Sequence, residues 1–133
     1  MPEKVLDPAG HICLAVSDFS VTRKFYSGLC DRLGFQTIRD KENSVGWATS
    51  EGFGLWFRPA RHDTPAYRYF SPGLQHLCLK AESPNMVDEV YKYFLEEKVR
   101  VLHPPRKYPE YTQDYYAVFV VEPDGFKLEV AYY

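Results

Sequence analysis

A two-residue alternation opens the chain. In His11-Ile12-Cys13-Leu14-Ala15-Val16 the apolar Ile12, Leu14 and Val16 fall on one side of a predicted strand, and His11, Cys13 and Ala15 on the other. The period then lengthens to four at Val21, Phe25, Leu29 and Leu33. Ser17 and Asp18 offer N-cap oxygens before this run and Gly34 offers a C′ glycine after it, so the spacing predicts a helix over 19–33 with one apolar stripe. Three short strands follow, 35–39, 45–49 and 53–58, separated by polar or glycine turns. The order is βαβββ.

The same grammar then repeats. Residues 75–80, Gln-His-Leu-Cys-Leu-Lys, predict a strand, and Ser83 is an N-cap with Pro84 at the first helical position. Val87, Val90, Tyr91, Phe94 and Leu95 supply the apolar face of that second helix. Strands at 99–102, 115–121 and 127–132 complete a second βαβββ unit. His11-Ile-Cys-Leu and His76-Leu-Cys-Leu stand at the same point of each unit, an offset of about half the chain, as an internal duplication produces. The expected organisation is one domain over 1–133: module one at about 9–58, a Pro- and Gly-containing connector at 59–74, and module two at about 75–133.

Alternation also sorts side chains by face. With Leu77 and Leu79 packed on the helix, His76, Cys78 and Lys80 turn away; with Leu128 and Val130 packed inward, Lys127, Glu129 and Ala131 turn away. Glu122-Pro123-Asp124-Gly125-Phe126 predicts a type I turn with a glycine bulge. That register pairs Phe119 with Glu129 and puts Tyr115, Ala117 and Phe119 on Glu129's surface. A two-residue loop would place Tyr116 and Val118 there instead. The proline, aspartate and glycine favour the bulged form.

Composition narrows the class. The 133 residues are 45% hydrophobic and 17% aromatic, which argues against disorder. Sixteen Lys and Arg against eighteen Asp and Glu leave no basic field for a nucleic-acid backbone. No run approaches the roughly 20 apolar residues of a membrane span. The opening Met1-Pro2-Glu3-Lys4 lacks the pattern of a signal peptide, and Cys13, Cys30 and Cys78 form no CxxC pair, so a cytoplasmic protein is expected.

Two imidazoles and a carboxylate on uncovered faces, His11, His76 and Glu129, form a donor set suited to an octahedral divalent ion with open positions. The plain alternative is histidines held by structural hydrogen bonds. His62 and His103 read as solvated loop residues, and Cys13 and Cys78 as small apolar filling rather than nucleophiles. The stretch 103–114, with Pro104, Pro105 and Pro109 among tyrosines and charges, is either a lid over the open face or a surface loop.

The tandem units, the histidine opening each, and the closing Glu122-Pro-Asp-Gly-Phe-Lys-Leu-Glu129 resemble the vicinal oxygen chelate superfamily over residues 9–133. That superfamily includes glyoxalase I, fosfomycin resistance proteins, extradiol dioxygenases and bleomycin resistance proteins. The resemblance implies an α+β fold in which tandem βαβββ modules form an open, cup-shaped eight-stranded mixed sheet with helices outside. It implies one divalent metal ion inside (Fe, Mn, Zn, Ni or Co, not distinguished by sequence), held by the first, fourth, fifth and last strands. His11, His76 and Glu129 match three of these positions; Trp56 stands at the fourth, where glyoxalase I has a carboxylate, and Glu51 lies too far away to replace it. The function implied is a glyoxalase-like, metal-dependent enzyme chelating a small substrate through two neighbouring oxygens. Lyase or isomerase chemistry is the first expectation, with dioxygenase or thiol transfer behind it. Trp56, Tyr115 and Phe119 would line the pocket, with Arg58 and Lys127 at its rim and the general base unassigned. The alternative is a metal-free, bleomycin-resistance-type protein that sequesters a flat aromatic or polar ligand. Either form is expected to be a homodimer acting on a small molecule, with no nucleic-acid or membrane partner.

Overall fold

The structure, a computed structural model, describes residues 10–62 and 65–133. The opening residues 1–9 and connector residues 63 and 64, on which the leader and part of the connector readings fall, lie outside it. The elements run β1 (His11–Val16), α1 (Phe19–Leu33), β2 (Gln36–Lys41), β3 (Ser44–Ala48), β4 (Gly54–Pro59), β5 (Leu77–Lys80), α2 (Pro84–Glu96), β6 (Arg100–Lys107), β7 (Tyr116–Val121) and β8 (Lys127–Tyr132). They form two four-stranded mixed sheets, β1-β4-β3-β2 and β5-β8-β7-β6, with β1 parallel to β4 and β5 parallel to β8. This is the α+β tandem arrangement expected from the repeated pattern.

Local chemistry sets both helices. Asp18 accepts from Val21 N at 3.2 Å and Ser83 Oγ accepts from Met86 N at 3.1 Å, each cap contributing about 1 kcal/mol. Gly34 closes α1 at φ +83°, with its N–H on Asp31 O and the next amide, Phe35 N, on Cys30 O. The buried stripe of α1 is Phe25, Tyr26, Leu29, Cys30 and Leu33, while Val21, an expected member, is 45% exposed. On α2, Tyr93 is buried in place of the expected Leu95, which faces solvent.

Tyr93 is recruited by the other helix. Its ring lies over Gly28 of α1, where a Cβ would stand 2.2 Å from the phenol oxygen, and its hydroxyl donates to Phe25 O at 2.7 Å. Phe25 and Phe94 stack beside it with centroids 5.9 Å apart. The two helices thereby join, and the helix-facing sides of both sheets share one apolar core. The opposite face of each sheet looks away from that core. His11, on β1, and Glu129, on β8, consequently belong to different uncovered faces.

Two loop readings need correction. The stretch after His103 is no loop at its start: β6 continues through Pro104 and Pro105 to Lys107, with register shifts between Val101 and His103 and between His103 and Arg106. It is an edge strand, where a missing N–H is tolerated. His103 thus sits on a strand, opposite Phe119, although its side chain is exposed as expected. His62 lies exposed in the connector.

The bulged turn before β8 forms as expected, with Glu122 N on Phe126 O at 2.9 Å and Phe119 opposite Glu129. Glu122 Oε1 accepts from Asp124 N at 2.6 Å and Phe126 N at 3.0 Å. Burial nevertheless pushes its carboxyl up to about 7. Asp124 Oδ1 accepts from Ser17 N at 2.8 Å and from the Ser17 hydroxyl, tying this turn to the start of α1.

Candidate functional site

Parallel pairing of β5 with β8 places Cys78 opposite Glu129, and His76 immediately precedes β5 on the same side. His76 Nε2 and Glu129 Oε1 stand 3.2 Å apart. Two donors each roughly 2.1 Å from one ion, at about 90°, are separated by about 3.0 Å, so this spacing fits adjacent coordination positions. The outer atoms are held too. His76 Nδ1 lies 2.5 Å from Gln75 Oε1; with the proton assigned to Nδ1, the lone pair of Nε2 is directed to the Glu129 side. Tyr115 Oη donates to Glu129 Oε2 at 2.5 Å. Glu129 is 3% exposed, so a carboxylate here needs these partners.

An aromatic wall surrounds the pair. Phe119 lies opposite Glu129, 6.4 Å from the His76 ring, and Tyr108, Ala117 and Ala131 pack with it. Tyr115 stacks on Tyr133 at 4.8 Å and Tyr108 on Tyr111 at 5.2 Å. Tyr108 and the ring of Tyr111 therefore pack on this face, while the rest of 109–114 is exposed. Lys127 Nζ sits 5.4 Å from the Phe119 ring, Lys80 Nζ 4.1 Å from that of Tyr133, and the Arg106 guanidinium 3.8 Å from that of Tyr108. Burial first, then the hydrogen bond to Glu129, holds the Tyr115 phenol well above its ordinary value. Burial and Glu129's charge push the Cys78 thiol up to about 12, which disfavours its nucleophilic thiolate form.

The third expected donor lies elsewhere. His11 is exposed on β1, where it borders a cavity of about 280 Å³ with Cys13, Trp56 and Arg58. Among the described residues no third His, Cys, Asp or Glu joins the His76–Glu129 pair within one chain. Pairing also fixes Trp56: Cys13 faces Trp56 across β1 and β4 as Cys78 faces Glu129 across β5 and β8. The pocket residues divide accordingly, with Trp56 and Arg58 on the first sheet and Tyr115, Phe119 and Lys127 on or beside the second. Sequence reasoning missed Gln75 and Tyr133, and placed Tyr108 and Tyr111 only within a stretch that was either lid or surface loop. The tyrosine density after Pro105 was the signal for those two; nothing local marked Gln75.

Comparison with known proteins agrees with the fold. Residues 9–130 match the Glyoxalase/Bleomycin resistance protein/Dioxygenase superfamily. The uncharacterized protein YqjT of Bacillus subtilis is 30% identical over 90% of this chain and 94% of its own. A candidate glyoxalase of Bacillus halodurans superposes with a TM-score of 0.80 at 22% identity, covering 95% of this chain and 96% of that one. A lactoylglutathione lyase of Agrobacterium tumefaciens gives 0.62 at 21% identity, over 98% and 94%. With its paired βαβββ modules and its Pro-Asp-Gly turn leading to Glu129, the chain belongs to the Glyoxalase/Bleomycin resistance protein/Dioxygenase superfamily.

Proposed function

We propose that this protein is a metal-dependent, glyoxalase-like enzyme whose site is completed by two copies of the chain. His76 and Glu129 of one copy, with His11 of another, would hold one divalent ion. The observation that carries this reading is the His76 Nε2–Glu129 Oε1 separation of 3.2 Å, with the far atom of each group already engaged by Gln75 and Tyr115. His11 is on the uncovered face of the other sheet and no third donor joins the pair among the described residues, which supports a second chain as the source of that donor.

The bound ion would supply Lewis acidity toward two neighbouring oxygens of a small substrate. The remaining work falls to the chain. Tyr115 fixes the orientation of Glu129, and Phe119 with the packed tyrosines keeps water from the buried side of the carboxylate. Lys127 and Arg58 offer positive charge where a negatively charged oxygen species would develop. Isomerase or lyase chemistry is the reading we favour, with dioxygenase or thiol transfer as the other metal-dependent forms. Cys13, Cys30 and Cys78 are all free thiols, which supports a reducing, cytoplasmic setting, and no described helix is long and apolar enough to cross a membrane.

A metal-free binding protein is the second reading, favoured by Trp56 standing where a fourth donor would be. Elemental analysis separates the two. The enzyme reading expects stoichiometric metal in the wild type and its loss in a folded His76→Ala variant. Metal-free wild-type protein that binds aromatic compounds would select the second.

A further inference from the structure

Gly46 of β3 is the direct cross-strand partner of Trp56, and Gly54 precedes Trp56 by two on β4. Both glycines lie under the indole. A Cβ on Gly46 would meet Trp56 Cε3 at 2.6 Å, and one on Gly54 would meet Trp56 Nε1 at 2.8 Å. These contacts are at opposite ends of the ring system, so the indole lies down across two strands instead of standing up from the sheet. Any larger residue at either position would lift it. Trp56 borders the 280 Å³ cavity, together with His11, Cys13 and Arg58.

The charge lining this cavity has one sign. Arg58 is exposed two residues beyond Trp56 on the same side of β4, and among the described residues no acid lines the cavity. Among the described residues, no carboxylate pairs with its guanidinium. His11 borders Gly54 from the other side, its Cβ 3.0 Å from where a Gly54 Cβ would be. A flat π surface thus lies between a free guanidinium and the histidine.

From this we infer that the Trp56 indole is a stacking platform for a planar, conjugated carboxylate, with the ring on Trp56 and the carboxylate on Arg58. Aromatic stacking rewards a flat conjugated ring, and guanidinium pairing rewards an anion, so neither group alone selects the ligand. The inference deepens the proposed function by naming a substrate class, and it rests on that reading only for the ion beside His11. Stacking itself needs no metal.

The test is calorimetric titration of 2-naphthoate into chelator-treated protein, with cyclohexanecarboxylate and 2-naphthamide as controls. Saturable 2-naphthoate binding is expected, about tenfold weaker in Arg58→Gln and at least about tenfold weaker in Trp56→Leu. Both controls should bind more weakly than 2-naphthoate to the wild type. Arg58 is exposed, so its variant keeps the test open even if Trp56→Leu misfolds. Equal binding of naphthoate and cyclohexanecarboxylate, or naphthoate binding unchanged in Arg58→Gln, would overturn the platform. Metal content is measured on separate, untreated samples. Metal present with no naphthoate binding defeats this inference alone, whereas naphthoate binding to a protein that never carries metal defeats the metal-dependent reading and leaves the platform standing.

Discussion

Trp56 and Glu129 occupy the same place in the two halves of the molecule: each lies directly across a parallel strand pair from the cysteine of a His-x-Cys run, Cys13 for the tryptophan and Cys78 for the glutamate. One half thus presents a carboxylate and the other an aromatic plane at corresponding positions. The difference decides how many donors a shared site can have.

If the site joins the two faces, Trp56→Glu supplies a fourth donor. Metal affinity should rise by about tenfold, measured by competition with a chromogenic chelator. Unchanged affinity would mean that the first sheet's face does not approach the ion.

Tyr115→Phe removes the only hydroxyl bonded to Glu129 among the described residues, but retains the ring stacked on Tyr133. Outer partners of metal ligands typically carry 10–100-fold in affinity, and a loss of about that size is expected, with metal-free protein melting at a lower temperature because the buried Glu129 carboxylate loses a partner. A Tyr115→Phe protein with wild-type metal affinity would remove Tyr115 from the site's support.

Glu122 makes stability depend on pH. Its carboxyl titrates at about 7 in the folded chain, above the ordinary carboxylate value, because burial disfavours the charged form. The folded state therefore holds this proton more tightly than the unfolded chain. The associated stability is fully present below the unfolded value and is lost as pH rises through about 7. Urea denaturation at a series of pH values should show a downward slope across that window, flattened in Glu122→Gln. The same slope in both proteins would assign it to another group.

The joint between the modules is equally specific. Gly28→Ala puts a methyl into the Tyr93 ring and should cost about 1–3 kcal/mol, reversing the usual helix preference for alanine over glycine. Tyr93→Phe keeps the ring and loses the bond to Phe25 O, about 1 kcal/mol. Thermal or chemical denaturation reads both; a stabilised Gly28→Ala would show that the helices part readily.

What the chain revealed about itself follows the range of the forces involved. The limits of α1 were legible because Asp18 and Gly34 act within a few residues of its ends. The faces of His76 and Glu129 were legible because strand alternation is local, and the Glu122–Phe126 turn fixed Phe119 opposite Glu129. Tyr93 was missed because its burial depends on a glycine in another helix. The prolines hid the second half of β6, beyond the expected 99–102, because proline tolerance depends on lying at a sheet edge, which only the assembled sheet determines. The placement of His11 apart from His76 was illegible for the same reason: it follows from how α1 packs on α2, through Phe25, Tyr93 and Phe94.

The most direct measurement is subunit complementation. His11→Ala and Glu129→Gln chains, carrying different affinity tags, are co-expressed and captured on both tags, and their metal is counted. A site shared between copies leaves the mixed dimer with one intact donor set and one doubly broken set, so about one ion per mixed dimer is predicted, against about two for the wild type and about none for either variant alone. A mixed dimer as empty as its parents, or no capture on the second tag, would contradict the account.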